Sequence, residues 1–270
     1  MTMVSVEDRG FTLGDGVFDT ALAVNGVIFA RERHVTRLVE AANAIGIEVQ
    51  KSALDSALDL HGATLRAPPC TILRTTVTRG PAARGLWPAS AGEPTVVVTT
   101  SPWNPSLLGQ PAKLITASAP RNERSLTSNL KTLNYLDHIL AAREAAVRGT
   151  DDALILNTQG RVACSTIANI FILKGNRLTT PPLSEGCLPG ITRALVLEIA
   201  PSLGLEVAES PIRLGEIIAA DAVFLTNSVR FVRRVTALDG INIPYNDEIP
   251  RIEDAIFARV KAECGIDPRA

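Results

Sequence analysis

One lysine in this sequence has the surroundings that covalent chemistry requires. Lys131 lies in the segment Ser128-Asn-Leu-Lys-Thr-Leu-Asn-Tyr-Leu, at the start of an Ala-rich segment that is predicted to be helical over residues 135–147. Enclosure in a pocket lowers the pKa of a lysine, because burial disfavours the ammonium form. The resulting free amine can attack an aldehyde and form an imine. Most lysines at helix starts are solvated, so a surface charge is the alternative interpretation.

Two other segments carry groups that can bind phosphate. Pro189-Gly-Ile-Thr-Arg opens a predicted helix, and the unpaired N–H groups at such an end attract an anion. Gly190 permits close backbone approach and Thr192 adds a hydroxyl, although a plain helix cap is the alternative. The second segment, Thr226-Asn-Ser-Val, follows a buried strand, and polar turns at strand ends often line ligand crevices.

Two arginines are candidates for binding anionic groups. Arg37 lies next to the apolar stripe of the first predicted helix, and a guanidinium there can bind a phosphate in bidentate fashion. A surface ion pair with Glu32 or Glu40 is the alternative. Arg84 is the second arginine of the loop Arg79-Gly-Pro-Ala-Ala-Arg-Gly, where it either clamps a substrate carboxylate or remains solvated.

The elements that must position these groups alternate irregularly between strands and helices. β-branched and apolar runs predict strands, and apolar residues at helical spacing predict helices. The predicted strands span residues 17–23, 70–78, 95–100, 153–157, 170–173 and 222–226, and the predicted helices 33–45, 52–60, 135–147, 193–203 and 252–264. Because the strands and helices do not alternate regularly, the pattern predicts an α+β fold. We expect a boundary that separates a smaller domain, residues 1–118, from a larger one, residues 119–270.

Composition excludes several classes of function. The 270 residues carry a formal net charge of -1, which does not favour binding to nucleic acid or to an anionic membrane. No uninterrupted apolar stretch is long enough for a membrane span, and the first nine residues do not resemble a signal peptide. The four cysteines are widely scattered, so neither a metal site nor a disulfide framework is expected. A reduced, cytoplasmic protein is the simplest expectation.

These motifs, taken together and in order, resemble one family. From Asp8 to Val235 the chain is similar to the fold-type-IV pyridoxal 5′-phosphate (PLP) enzymes, the class IV aminotransferase family. That family includes D-amino-acid aminotransferase, branched-chain aminotransferase and 4-amino-4-deoxychorismate lyase. The most specific marks are the glycine-rich segment from Asp8 to Thr20, the motif Lys131-x-Leu-Asn, and the motif Leu188-x-Gly-Ile-Thr-Arg.

The resemblance implies a role for each matching residue. Lys131 would hold PLP as a Schiff base and carry the proton between the substrate Cα and C4′ of the cofactor. Arg37 would bind the cofactor phosphate. The same phosphate would be bound by the backbone amides of Ile191 and Thr192 and by Ser228 and Asn227. Arg84 would bind the substrate carboxylate, and Phe18 stands where the family usually has a substrate-binding tyrosine.

The resemblance also implies an architecture. It predicts two α/β domains with the cofactor cleft between them, the larger C-terminal domain carrying the Schiff-base lysine. The expected assembly is a homodimer in which loops of one subunit border the site of the other.

Cys164 departs from the family pattern. In the family a glutamate five residues before an Asn-x-Phe strand pairs with the pyridine nitrogen of PLP, and Cys164 occupies that position here. A carboxylate keeps the ring nitrogen protonated and makes the ring a strong electron sink. A thiol is only a weak hydrogen-bond donor.

Three activities remain open from the sequence. The leading hypothesis is a PLP-dependent aminotransferase that moves an amino group between an amino acid and a 2-oxo acid. The first alternative is 4-amino-4-deoxychorismate lyase, which releases pyruvate and 4-aminobenzoate, because the spacing from Arg79-Gly to Arg84-Gly is nearer to the lyase loop. The second alternative, motivated by Cys164, is a PLP-binding protein with weak turnover or none.

Overall fold

The chain folds into two compact units. The computed structural model describes residues 3–61, 65, 69–87 and 92–270. The first unit comprises Met1–Asn104, Leu130–Asn134 and Val260–Ala270, and the second comprises Pro105–Asn129 and Tyr135–Arg259. None of the described helices is both long and apolar enough to cross a membrane.

A four-stranded antiparallel sheet forms the first unit. Its order is β2-β1-β3-β4, and β1 pairs along its whole length with β3, from Gly16 opposite Thr78 to Val24 opposite Cys70. The elements of this unit are α1 (Arg9–Leu13), β1 (Gly16–Val24), β2 (Val27–Ile28), α2 (Arg31–Ala44), α3 (Lys51–Asp59), β3 (Cys70–Thr78) and β4 (Thr95–Pro102). The buried stripe of α2 packs on the apolar side chains of β1 and β3, such as Val17, Leu73 and Val77, to form the core.

A nine-stranded mixed sheet forms the second unit. Eight strands run in the order β10-β9-β8-β11-β12-β5-β6-β7, and β13 pairs with β12. Its strands are β5 (Ala112–Thr116), β6 (Asp152–Leu156), β7 (Val162–Ser165), β8 (Asn169–Lys174), β9 (Arg177–Thr180), β10 (Glu206–Glu209), β11 (Ala222–Asn227), β12 (Phe231–Leu238) and β13 (Ile241–Asn242). Its helices are α4 (Leu136–Val147), α5 (Ile191–Ile199), α6 (Leu214–Ile218) and α7 (Glu248–Cys264), the last turn of which belongs to the first unit. The irregular mixture of parallel and antiparallel pairs confirms the α+β prediction.

The central strand β12 was not predicted, although it lies in the middle of the second sheet. Arg233 and Arg234 interrupt its apolar pattern, so the sequence lacks the alternation expected of a strand. The structure nevertheless pairs it with β11 through Leu225 opposite Arg233. Tertiary pairing has therefore overridden a weak local signal.

The compact units differ from the division that we predicted at residue 118. The first unit ends its main segment at Asn104, and the chain returns to it at Leu130–Asn134 because these residues pair with β1. The chain end also returns, since Asn25 donates to the carbonyl oxygen of Cys264 at 3.2 Å and Glu263 accepts from the amide of Ala30 at 2.7 Å. The division into domains 1–118 and 119–270 stays a prediction.

Candidate functional site

Lys131 lies on an extended segment that is hydrogen-bonded to β1. The amide of Phe18 donates to the carbonyl oxygen of Lys131 at 2.8 Å, and the amide of Leu133 donates to that of Gly16 at 2.9 Å. Gly16 is required here, because a Cβ at this position would lie 2.6 Å from the carbonyl oxygen of Val77. The expectation that Lys131 begins a helix is therefore wrong, since α4 starts at Leu136.

The environment of Lys131 favours the free amine. Burial, together with the positive charges of Arg37 and Arg74, lowers the pKa of Lys131 to about 8 against the opposing charge of Asp19. The amine lies 4.3 Å from the centroid of the buried Phe18 ring. At neutral pH a larger fraction of this side chain is thus nucleophilic than of a solvated lysine.

Asp19 is buried on β1 and holds two side chains of α2. Arg37 donates to Oδ2 of Asp19 through Nε at 2.9 Å and Nη2 at 2.7 Å, and His34 Nδ1 lies 2.5 Å from Oδ1. Burial raises the pKa of Asp19, but His34 and Arg37 outweigh it and hold the pKa below its usual value. The carboxylate therefore stays ionised and fixes the position of the Arg37 guanidinium.

Arg74 is a residue of this site that the sequence analysis missed. It lies on β3, where its Cα is paired with that of Thr20, and its guanidinium carbon lies 3.5 Å from the centroid of the Phe18 ring. Phe18 therefore contacts both the guanidinium and the amine of Lys131. Only the register between β1 and β3 brings Arg74 here, so no local motif could have identified it.

The N-terminus of α5 has the features of an anion site in the second unit. The helix begins at Ile191 after Gly190, and no side chain caps its first amides. A Cβ on Gly190 would lie 2.0 Å from Oδ1 of Asn169, which shows how closely the backbone approaches this side chain. Asn169 is held in place by its own donation to the carbonyl oxygen of Leu188 at 2.8 Å. The amides of Ile191 and Thr192 thus stand at an uncapped helix end.

The end of β11 adds polar groups on the same unit. Thr226 is paired with Asn169 across the two strands, so both side chains lie on one face of the sheet. The hydroxyl of Thr226 is buried and has no hydrogen-bond partner in the described structure. Asn227 accepts through Oδ1 from the amides of Val229 and Arg230, which shapes the turn that contains the half-buried Ser228. A buried hydroxyl without a partner and an uncapped helix end together fit a phosphate group.

Cys164 is a buried thiol on β7. Burial raises its pKa to about 12 against the opposing charge of Arg121, so the side chain is neutral at physiological pH. It packs in an apolar cluster that also contains Cys187, Ile115 and Ile155. Arg121 donates to the carbonyl oxygens of Gly186 and Ser128 and to Nε2 of His138. Cys164 is thus enclosed by apolar side chains and experiences the positive charge of Arg121.

Arg84 lies on the exposed loop that follows β3. This loop, residues 81–87, borders an open groove of about 1040 Å³ that also involves Arg9 and Leu13. Lys131, Phe18 and Arg37 are brought together within the first unit. Ile191, Thr192, Asn227, Ser228 and Cys164 all belong to the second unit. The role of each residue stays a prediction.

Comparison with known proteins identifies relatives across nearly the whole chain. The family model described as "Amino-transferase class IV" matches residues 16–238. A putative branched-chain-amino-acid aminotransferase of Methanocaldococcus jannaschii is 35% identical over 97% of this chain and 93% of its own length. The D-alanine aminotransferase of Bacillus licheniformis is 30% identical over 89% of this chain and 84% of its own length.

Solved structures agree with this similarity. A putative 4-amino-4-deoxychorismate lyase from Legionella pneumophila is 32% identical and superimposes with a TM-score of 0.87, covering 97% of this chain and 96% of its own. The match confirms the predicted fold type.

We expect the amine of Lys131 to titrate near pH 8. Competitive acetylation of the cofactor-free protein with acetic anhydride, read by mass spectrometry over a pH series, should give a midpoint near the lowered pKa of about 8. Arg74→Met removes a nearby positive charge, so the midpoint should rise. Lys51 is an internal reference, because its hydrogen bond to Glu32 raises its pKa. A Lys131 midpoint at or above that of Lys51 would contradict the described environment.

Proposed function

Because the chain belongs to the class IV aminotransferase family, we propose that it is a PLP-dependent aminotransferase that moves an amino group between an amino acid and a 2-oxo acid. Members of this family are PLP enzymes. The observation that carries the proposal is the buried amine of Lys131, whose pKa is lowered to about 8 beside Phe18, Arg37 and Arg74. A lysine that binds a cofactor aldehyde covalently needs such a free amine.

The residues of both units fit the cofactor. In the first unit, Lys131 would hold the aldehyde of PLP and Arg37 would bind its phosphate, while Asp19 holds the Arg37 guanidinium. In the second unit, the uncapped amides of α5 and the polar turn after β11 would supply neutral hydrogen-bond donors to a phosphate, namely those of Ile191, Thr192, Asn227 and Ser228. When bound, PLP supplies the electron sink that stabilises negative charge at the substrate α-carbon.

Lys131 also has the properties of the catalytic base. With cofactor and substrate bound, Nζ of Lys131 would take the proton from the substrate Cα and would deliver it to C4′ of the cofactor. A base with a pKa of about 8 is matched to this task near neutral pH. Phe18 excludes water from one side of the amine, since its buried ring lies against Nζ.

Two arginines are suited to binding substrate carboxylates. Arg84 is assigned the α-carboxylate on the strength of the loop motif. Arg74 lies against the ring of Phe18 and presents a second cation near Lys131. A substrate with a second carboxylate, such as a dicarboxylic amino acid, therefore has a binding partner in this unit.

4-Amino-4-deoxychorismate lyase activity is the second candidate. Two observations favour it, namely the spacing of Arg79 and Arg84 and the 32% identity to the Legionella protein described as a putative lyase. The reactions differ after proton abstraction, because the lyase expels a pyruvyl group while the aminotransferase completes the proton transfer. A coupled assay with lactate dehydrogenase, which consumes pyruvate, distinguishes them.

The visible absorption spectrum of the purified protein tests the proposal. We expect a yellow band that is absent in Lys131→Ala and that bleaches when a pool of L-amino acids or of D-amino acids is added. The pool that bleaches the band identifies the chirality of the substrate. A band that neither pool changes, together with pyruvate release from aminodeoxychorismate, would favour the lyase. A spectrum identical in Lys131→Ala and wild type would refute both.

The third alternative, a PLP-binding protein with weak turnover or none, rests on Cys164 and can be tested by substituting this residue. If a neutral thiol at the pyridine nitrogen limits the reaction, Cys164→Glu should accelerate bleaching by at least roughly tenfold, because a carboxylate keeps the nitrogen protonated. Cys164→Ser is the matched control, since it is small and neutral, and its rate should stay close to that of wild type. Stopped-flow absorbance measures all three proteins. Equal rates in the glutamate and serine variants would show that Cys164 does not limit turnover.

We propose that the protein acts as a homodimer. Helix α4 exposes apolar side chains along one face, with Leu136 65%, Ile139 58%, Leu140 50% and Val147 79% exposed. Several exposed apolar side chains on one helix face are unfavourable in water and are typical of an interface. A second copy of the chain is the occupant that the family resemblance implies.

Charge placed on this face should separate the subunits. Leu140→Asp introduces a carboxylate into the apolar face, so light scattering coupled to size-exclusion chromatography should show a monomer at micromolar concentration. Leu60→Asp is the control, because Leu60 is 85% exposed outside α4, and it should remain dimeric. A dimeric Leu140→Asp protein would exclude α4 from the interface.

The cysteines support a reducing location. All four are buried and free, at positions 70, 164, 187 and 264. Proteins of oxidising compartments commonly pair such residues. We therefore propose a cytoplasmic enzyme.

A further inference from the structure

Asp15 joins two buried arginines immediately before β1. Arg9 donates to Oδ2 of Asp15 through Nε at 2.7 Å, and Arg79 donates to the same oxygen through Nε at 2.8 Å. Arg79 also reaches Oδ1 through Nη2 at 3.1 Å. The side chains of Arg9 and Arg79 are only 5% and 8% exposed. Burial raises the pKa of Asp15, but the hydrogen bonds from Arg79 and Arg9 outweigh it, so the carboxylate remains charged.

Arg9 holds the loop that carries Arg84. Its Nη1 donates to the carbonyl oxygen of Gly85 at 2.7 Å, and its Nη2 donates to that of Leu86 at 2.6 Å. One planar guanidinium therefore binds two successive peptides directly after Arg84. The side chain of Leu86 is 87% exposed, so the loop gains little from apolar burial and depends on these polar contacts.

Arg79 connects the same carboxylate to the end of α2. Its Nη1 donates to the carbonyl oxygen of Gly46 and its Nη2 to that of Ile45, both at 2.7 Å. Helix α2 carries Arg37, whose position Asp19 fixes. The guanidinium carbon of Arg79 also lies 5.3 Å from the centroid of the Trp87 ring. Both ends of the Arg84 loop, residues 81–87, are thus adjacent to this ion network.

We propose that Arg9, oriented by Asp15, is a positioning residue that sets the conformation of the Arg84 loop. Arg9 touches neither the amine of Lys131 nor its aromatic neighbour in the contacts of the described residues, and it acts through the loop backbone. The functional consequence, selective binding of substrates with an α-carboxylate, rests on the proposed function. The structural consequence, an ordered Arg84 loop, is independent of the proposed function.

Loop order can be measured without any assay of activity. Trypsin cleaves after arginine, and Arg84 is exposed, so the rate of cleavage at Arg84–Gly85 reports how freely the loop adopts an extended conformation. Arg9→Gln removes both bonds to the loop carbonyls, and we expect its cleavage rate to rise at least fivefold. Arg31→Gln is the matched control, because it removes an arginine with ion pairs to Asp55 and Asp59 in the same unit, and its rate should equal that of wild type.

A second variant, Arg9→Lys, and a second measurement, Trp87 fluorescence, distinguish a disordered loop from a misfolded protein. Lysine keeps the charge beside Asp15 but cannot donate to two successive carbonyls from a fixed plane, so Arg9→Lys should also loosen the loop. In a Trp103→Phe background Trp87 is the remaining tryptophan, and its emission should be quenched more readily by acrylamide in both Arg9 variants. Far-ultraviolet circular dichroism equal to that of wild type shows that the fold is intact. Wild-type cleavage and quenching in folded Arg9→Lys would overturn the proposal.

Steady-state kinetics separates positioning from a general loss of structure. In Arg9→Lys the KM for an α-amino acid should rise at least fivefold, while kcat and the reaction with a primary amine that lacks a carboxylate should change less than twofold. A parallel loss of kcat with both substrates would overturn a role restricted to the loop. If wild type lacks the visible band, the proposed function fails, and the proteolysis and quenching results still decide whether Arg9 orders the loop.

Discussion

The chemistry proposed for the first unit depends on the burial of one amino group, that of Lys131. Removing a lysine amine from water disfavours its charged form, and the protein does so here by pairing the lysine backbone with β1 and placing the amine against the Phe18 ring. The positive charges of Arg37 and Arg74 also disfavour the ammonium form of Lys131 and so lower its pKa. The resulting reactive amine is a property of the strand arrangement. The lowered pKa of Lys131 would be lost if this segment moved into solvent.

Charge balance explains how several arginines can be buried in the first unit. Asp19 is fully enclosed and compensates Arg37, while Asp15 compensates Arg9 and Arg79 in a separate network. A buried guanidinium without such a partner is strongly unfavourable, so each carboxylate determines where a cation can lie. Both carboxylates come from one short stretch around the start of β1, the glycine-rich segment that the family resemblance emphasises. Its acidic residues organise arginines, and its glycines allow close backbone contact.

The second unit presents a different kind of anion site, built mainly from neutral donors. The uncapped end of α5, the close approach at Gly190 and the buried hydroxyl of Thr226 offer dipoles and hydrogen-bond donors with little formal charge. Dipoles of this kind are fixed by the backbone and remain in place at any pH. The thiol of Cys164 follows the same trend, because it is neutral where relatives of this fold are expected to have a carboxylate.

The sequence by itself determined the family, the α+β class and the long elements, and it singled out Lys131 as the candidate lysine, because periodic apolar patterns and short motifs are local properties of the chain. It also identified Gly190, Thr192 and the turn around Asn227 from their spacing at element ends. Only the tertiary structure decided that β12 is a central strand and that Lys131 is extended. It alone revealed Arg74 beside Phe18, and the pairing of Arg9 with Asp15 and Arg79. These features depend on strand register and on contacts between residues distant in sequence, for which local patterns carry no information.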